Sequence, residues 1–471
     1  MPRSPSKKSA CRTVAQAEPA TSWPCKRRNP ISGIDAKATR QVYCRGRDID
    51  ASSGEARMPM RSITTAILTL LLIAGLQAKA DITLDALEAG SGVSWPQGLR
   101  EAVSPLLGDL NSQAPHRAVA VSVNDALEAF AVGSAWKAPS PIMASQAAMQ
   151  GCEQDRAAKG LQTPCEILVS DDAIMPLGRA QRAAADPDQG SQVWRVEGPK
   201  GTLYLVGSVH VLKPSLFPLP PVYEQAYAAA EQLAGEANPV LMNDPARMSA
   251  LQSLPRPAVN TLRAEMPPEL KNQLEAFLTS LGAPPELAYA SPPMAAAMEL
   301  ESLTIMALGY TPQAGFESYF ARRASQDGKP FTELEDPIAV LRSIMTLPLP
   351  VQFDALAQTF EDLPKAPEIM QELLTLWYAG DAEGLFDATM ENMSTLEDAA
   401  LLKETLFDKR NVTMTKALLP LLESGKTTFA MVGAGHLGGR NGMLAELRRA
   451  GFSPVQLNNG GEPLEAVVTF P

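Results

Sequence analysis

Through residues 192–458, short apolar runs alternate with longer stretches whose apolar side chains recur every three or four positions. Residues 202–206 and 427–432 are apolar or β-branched runs of strand length, and 193–196, 330–335 and 454–457 read as further strands. Between them, Val222, Ala226, Ala229 and Leu233 share one face of a helix over 221–233, which leads into a short strand ending at Glu236. Helices over 268–281 and 293–308 each open on a proline, whose missing N–H has no partner to lose in a first turn. The stretches 316–326, 368–378, 409–423 and 442–450 continue the helical period. The pattern predicts an α/β (α+β) fold over 192–471, a sheet core carrying a large helical insert at roughly 245–425.

A smaller α+β module is predicted over 81–176, with strand character at 116–122 and 165–169 and a helix over 144–158. Residues 177–191 are polar and punctuated by Pro187 and Gly190, so they read as a linker. Further upstream the periodicity stops. Residues 66–76 form an apolar core of 11 residues, preceded by Arg61 and followed by Ala78-Lys79-Ala80, which is the pattern of a secretory signal peptide over 58–80. The core is too short to span a bilayer comfortably, and no cysteine follows it to carry a lipid.

Charge sharpens this division. Residues 1–57 hold 12 Lys/Arg against 5 Asp/Glu and read as a disordered basic segment. An export signal belongs at an N-terminus, so translation is expected to begin at Met58 or Met60, with 1–57 a gene-start artefact. Cleavage after Ala80 leaves 27 basic and 47 acidic side chains, a net of −20 against −11 for the whole chain. Such a balance argues against a nucleic-acid partner. It fits an exported protein, periplasmic or secreted, with no stable membrane span. Export also changes the cysteine count: only Cys152 and Cys165 remain, and an even pair outside the cytoplasm suggests a disulfide stapling the predicted helix to the predicted strand. Two buried thiols are the alternative.

Histidine is scarce: His116, His210 and His436 are all there are. His116 reads as a surface residue at a strand start. The other two occupy matching settings, Gly207-Ser208-Val209-His210 and Gly433-Ala434-Gly435-His436, each G-x-x-H directly after an apolar strand. Ligands of open α/β sheets bind outside the carboxyl ends of strands, so both imidazoles can reach one crevice, with Gly207 and Gly433 letting the backbone turn and a ligand approach. Glu236 and Glu335 stand at the ends of two other predicted strands. Two histidines and two carboxylates can hold Zn²⁺, Mn²⁺ or Co²⁺ and so activate water for hydrolysis. Other motifs fall away. The G-x-G-x-x-G at 433–438 has too little chain after it for a dinucleotide fold, Gly425-Lys426-Thr427 lacks the upstream glycine of a P-loop, and neither H-E-x-x-H nor G-x-S-x-G occurs.

In ordered blocks over about 192–458 the chain resembles the TraB/GumN family, which includes the Tiki-type metalloproteases. The blocks are Val193-Trp194-Arg195 with the run from Leu203 to His210; Leu219-Pro220 and the stretch from Ala230 to Glu236; Gly315-Phe316-Glu317-Ser318 with Leu334-Glu335; Arg410-Asn411; and the run from Phe429 to Leu437 with Gly442, Leu447, Gly451 and Phe452. The first motif reads Gly-Ser-Val-His where Gly-Thr-Ile-His is commoner, which keeps the hydroxyl. The resemblance implies a fold related to the erythromycin-esterase-like and ChaN-like proteins. It further implies a divalent metal held by His210, His436, Glu236 and Glu335, with Glu236 and Glu335 as general-base candidates and Arg410 stabilising an oxyanion. Glu317 ranks behind these as an acidic site position.

The expected function is a metal-dependent hydrolase, a peptidase on a peptide or envelope-derived substrate. The alternatives are a non-catalytic protein sequestering a secreted peptide or a polysaccharide-pathway component, and a metal-free hydrolase with His210 as base. N-terminal sequencing of the natural protein should begin at Asp81; a peptide from residues 1–57 would overturn the expected start.

Overall fold

A computed structural model describes residues 81–112, 116–242, 244–394, 396 and 398–464. The basic segment 1–57 and the export signal 58–80 lie outside the described residues. Among the described residues ten strands form two sheets. The first, in the order β2-β1-β3-β4, is antiparallel and built from β1 (His116–Val123), β2 (Phe130–Ala138), β3 (Glu166–Ser170) and β4 (Ala173–Ile174). Alternation along β1 gives the sheet two different faces. Val119 and Val121 pack with Leu87, Leu99, Val103 and Leu110 of the helices Leu84–Ser91 and Gln97–Ser112. Ala118 and Ala120 face the helix Pro141–Lys159 through Ala144, Ala148 and Cys152.

Small residues make that second contact unusually close. A Cβ on Gly133 would stand 2.1 Å from the Ala148 carbonyl oxygen and 2.2 Å from the Cys152 nitrogen, so strand and helix touch backbone to backbone. Ser140 caps the helix by accepting from the Met143 N–H, Pro141 opens it, and Gly160 ends it at φ 68°. Cys152 and Cys165 are disulfide-bonded, with Cα atoms 6.1 Å apart, and so join the helix to the residue before β3.

The second sheet runs β10-β5-β6-β9-β7-β8: β5 (Gly190–Glu197), β6 (Thr202–Ser208), β7 (Gln232–Gly235), β8 (Phe331–Glu333), β9 (Thr428–Gly433) and β10 (Val455–Asn458). Pairings β6–β9, β9–β7 and β7–β8 are parallel, whereas β5 pairs antiparallel with both β6 and β10. Both faces are covered, which is why the central strands read as continuous apolar runs. Val206, Leu233, Phe429 and Met431 join Tyr223, Phe316, Phe320 and Trp377 on one face. Leu203, Leu205, Ala234, Ala430 and Val432 pack on the other against Met414, Leu418 and Leu447. Tyr223 and Trp377 stack at 5.1 Å, and the Trp377 indole donates to the Gly207 carbonyl at 2.8 Å, tying the helix Ala366–Tyr378 to the end of β6.

The expected helical insert is present between β7 and β9, with β8 threaded through it and a core of its own around Leu270, Leu274, Tyr289, Leu300, Phe353 and Leu356. Several boundaries differ from expectation: β8 stops at Glu333, two residues short of Glu335, and β5 starts at Gly190. The helix over 221–233 stops at Ala229, because Ala230 turns extended to start β7. The stretch 177–191 is not simple linker: it contains the helix Gly178–Ala183. Its first N–H and the Ser215 hydroxyl both donate to Glu166 Oε2, at 2.8 and 2.7 Å. Buried Glu166 therefore clamps β3 to the segment that follows His210. No described helix is long and apolar enough to cross a membrane.

Replacing Cys152 and Cys165 together by serine should lower unfolding stability by about 3 kcal/mol, the chain-entropy value for a loop this short. Urea unfolding that shows no loss would contradict a stapling role.

Candidate functional site

β6 and β9 end side by side, with Ser208 in register with Gly433. The two G-x-x-H segments then leave the sheet differently. After β6 the chain bends at His210, and the Phe316 N–H donates to the Val209 carbonyl at 3.0 Å. A Cβ on Gly315 would sit 2.0 Å from the His210 carbonyl oxygen, so only glycine lets the helix Phe316–Asp327 begin there. That helix places Glu317 in its first turn, where its Oε1 lies 2.7 Å from His210 Nδ1 and accepts the Ser208 hydroxyl. After β9 the chain tightens into a single 3₁₀ turn, Ala434–His436, which buries the second imidazole with 7% of its side chain exposed. His436 Nδ1 lies 2.6 Å from Asn411 Oδ1, and the Asn411 amide donates to the Asn441 carbonyl at 2.8 Å. The Phe407 ring packs 5.0 Å from the imidazole.

Glu236 follows the last residue of β7. Its Oε1 accepts the Gly433 N–H at 2.5 Å and its Oε2 accepts Arg410 Nη2 at 2.5 Å. Glu335 lies beyond the end of β8 and takes the other side of the same guanidinium, with Nε at 3.0 and 3.1 Å and Nη2 at 2.5 Å. Arg410 and Asn411 belong to the helix Lys409–Leu422, entered through a π turn at Glu404–Asp408. Such a widened turn recurs at functional sites, and here Arg410 Nη1 donates back to the Leu406 carbonyl at 3.2 Å.

Gly433 is the centre of the arrangement. A Cβ there would lie 3.2 Å from Glu236 Oε1, 3.4 Å from His210 Nε2 and 3.5 Å from His436 Cδ2. His436 Nε2 stands 3.9 Å from Glu236 Oε1. Neither motif glycine has a positive φ, so the reason for glycine is close approach and not a special turn. At Gly207 a Cβ would meet Leu437 Cδ1 at 2.7 Å, a packing requirement behind the pocket.

The charges are tuned in opposite directions. Burial alone would raise the Glu236 carboxyl, but His436, His210, Arg410 and the Gly433 N–H hold it at about 2. Burial raises Glu335 above the ordinary carboxylate range despite Arg410. Burial lowers His436 to about 4, so it is a neutral imidazole at physiological pH. His210 moves the other way, raised by the Glu317 carboxylate beside it. Its ring is 68% exposed, so water screens part of that attraction. Burial opposes ionisation of Glu317, yet the His210 charge and the hydrogen bonds from His210 and Ser208 lower it. Two carboxylates pushed apart on one guanidinium, and two imidazoles pushed apart across one glycine, form the pattern of a site built for proton or cation chemistry.

Six of the residues singled out in the sequence meet here: His210, His436, Glu236, Glu335, Arg410 and Gly433. Glu317, ranked below them, contacts His210 directly. Sequence reasoning gave no role to Ser208, Phe407 or Asn411, although Asn411 stood beside Arg410 in a motif block. Among the described residues no group of three or more His, Cys, Asp or Glu side chains is arranged so that it could hold a metal ion. The donor chemistry nevertheless fits a cation: both imidazoles have Nδ1 engaged by an oxygen acceptor, the usual support for a ligating Nε2, and at Gly433 no Cβ stands against them and Glu236. Glu335 has both oxygens on Arg410 and faces the guanidinium.

The model of the TraB/PrgY/gumN family matches residues 192–456, more than half of the chain, and the chain belongs to that family. No curated protein matches it.

Arg410, Glu236 and Glu335 are 17%, 15% and 6% exposed. Arg410→Met should therefore cost about 3–5 kcal/mol by stranding two buried carboxyls. Adding Glu335→Gln should recover part of that loss in urea unfolding; no recovery would show that the two groups do not share the guanidinium.

Proposed function

We propose that this member of the TraB/PrgY/gumN family is a divalent-metal-dependent hydrolase, a peptidase acting on a peptide or envelope-derived substrate after export to the periplasm or beyond. One observation carries the reading: His210 Nε2, Glu236 Oε1 and the His436 ring lie within 3.5 Å of the place a Cβ on Gly433 would occupy. His210, His436 and Glu236 are the residues that would hold Mn²⁺, Co²⁺ or Zn²⁺, a two-imidazole, one-carboxylate set of three protein ligands. A divalent ion bound there supplies Lewis-acid polarisation of a carbonyl.

The rest of the chemistry belongs to the chain's own groups. Glu317 and Asn411 orient the two imidazoles. Arg410 acts with the two imidazoles in keeping Glu236 ionised and is the group that would stabilise negative charge on a substrate oxygen. Glu335 enters this reading as the anchor of Arg410, since both its oxygens contact the guanidinium. A metal-free mechanism with His210 as base is the second reading, favoured by the Glu317 carboxylate on Nδ1, the contact that orients a general-base imidazole.

Metal analysis of the purified protein, with His210→Ala and His436→Ala beside it, tests the proposal. A single divalent ion per chain should be lost in both variants together with peptide cleavage. Absence of Mn, Zn, Co and Fe from the wild type under every loading condition would contradict it. A retained ion without cleavage of any peptide would favour the sequestering function.

A further inference from the structure

His436 has one close polar partner on each side of its ring, and the two differ in kind. Nδ1 faces Asn411 Oδ1 at 2.6 Å, while Nε2 is 3.9 Å from Glu236 Oε1, beyond hydrogen-bond reach. A neutral imidazole carries its proton on one nitrogen only, and the neighbour at 2.6 Å decides which. Asn amides can be turned by half a rotation, so the identity of the facing atom needs an independent constraint. The backbone supplies it: the other end of the Asn411 amide is 2.8 Å from the Asn441 carbonyl oxygen. A carbonyl oxygen only accepts, so the NH₂ group must face Asn441 and the amide oxygen must face His436. The reverse rotamer would press two acceptors together in a buried place, since Asn411 is 1% exposed.

We propose that Asn411 is a positioning residue: anchored by the Asn441 carbonyl, it fixes His436 as the Nδ1–H tautomer and leaves the Nε2 lone pair facing Glu236 and the space above Gly433. The tautomer stands on these contacts alone. Its consequence, that Nε2 is kept ready for a divalent cation, rests on the hydrolase reading above.

The three histidines of the chain make the test direct. Protein labelled with ¹⁵N-histidine, in mildly alkaline buffer and free of metal, gives three pairs of ring-nitrogen signals, and His116→Gln and His210→Gln assign them by removal. His436 should show a protonated Nδ1 and an unprotonated Nε2. A proton on Nε2 in the wild type overturns the proposal. Asn411→Leu should release the constraint and move the proton to Nε2 or into exchange. The wild-type spectrum decides the question if the leucine variant does not fold, since the position of the proton there needs no substitution at 411. Zn²⁺ titration calorimetry separates the two readings. Asn411→Leu should weaken binding about 10–100-fold, and equal binding by wild type and variant contradicts the positioning role. A wild type that takes no Zn²⁺ defeats the metal reading and leaves the tautomer assignment to the spectra.

Discussion

Everything in the site depends on the register in which β6 pairs with β9. Six consecutive residue pairs, from Leu203–Thr428 to Ser208–Gly433, run parallel through the middle of the sheet. Both strands are buried on both faces, so a slip by one residue would exchange the side chains of two separate cores. That penalty holds two G-x-x-H segments, distant in sequence, at one end of the sheet. β7 pairs on the far side of β9 and brings Glu236 to the same end. The Trp377 indole on the Gly207 carbonyl and the Glu166 clamp on Ser215 then fix the path of the first segment from outside the sheet.

Once brought together, the side chains solve an electrostatic problem. Glu236, Glu335 and Arg410 are nearly buried, and taking three charged groups out of water costs more than an apolar core of the same shape. The guanidinium offsets this by serving both carboxylates, and the Gly433 N–H adds a further donor to Glu236. The histidines divide the task differently. His436 is buried against Phe407 and Asn411 and stays neutral, whereas His210 is open to water and paired with Glu317. A pocket with a fixed anion, a neutral ring and an accessible ring is suited to a cation or a proton in transit.

Much of this was legible in the sequence, for physical reasons. A strand buried on both faces must be apolar throughout, so 202–206 and 427–432 declared β6 and β9 directly. The repeated G-x-x-H after each of them declared the crevice. β2 was not legible: Phe130–Ala138 is rich in small residues and forms a strand only because the Ala118 and Ala120 face of β1 admits the helix backbone close to Gly133. The helix Gly178–Ala183 hid in a polar stretch because its first N–H is held by Glu166, a contact no local pattern announces. In the site, histidine and glycine carried the signal, whereas Asn411 had none of its own, since an asparagine within a helix shows no pattern. The engagement of Glu335 by Arg410 could not be read either. Whether a carboxylate at a strand end meets a guanidinium depends on where a distant helix crosses the sheet.

The central claim is that the two G-x-x-H segments and Glu236 make one site. Anomalous diffraction from crystals of the protein soaked in Mn²⁺ tests it most directly. The predicted result is a single strong peak beside Gly433, bounded by His210 Nε2, His436 Nε2 and a Glu236 carboxylate oxygen. A structure in which the two imidazoles face apart, or in which manganese binds elsewhere and leaves the space at Gly433 vacant, would contradict it.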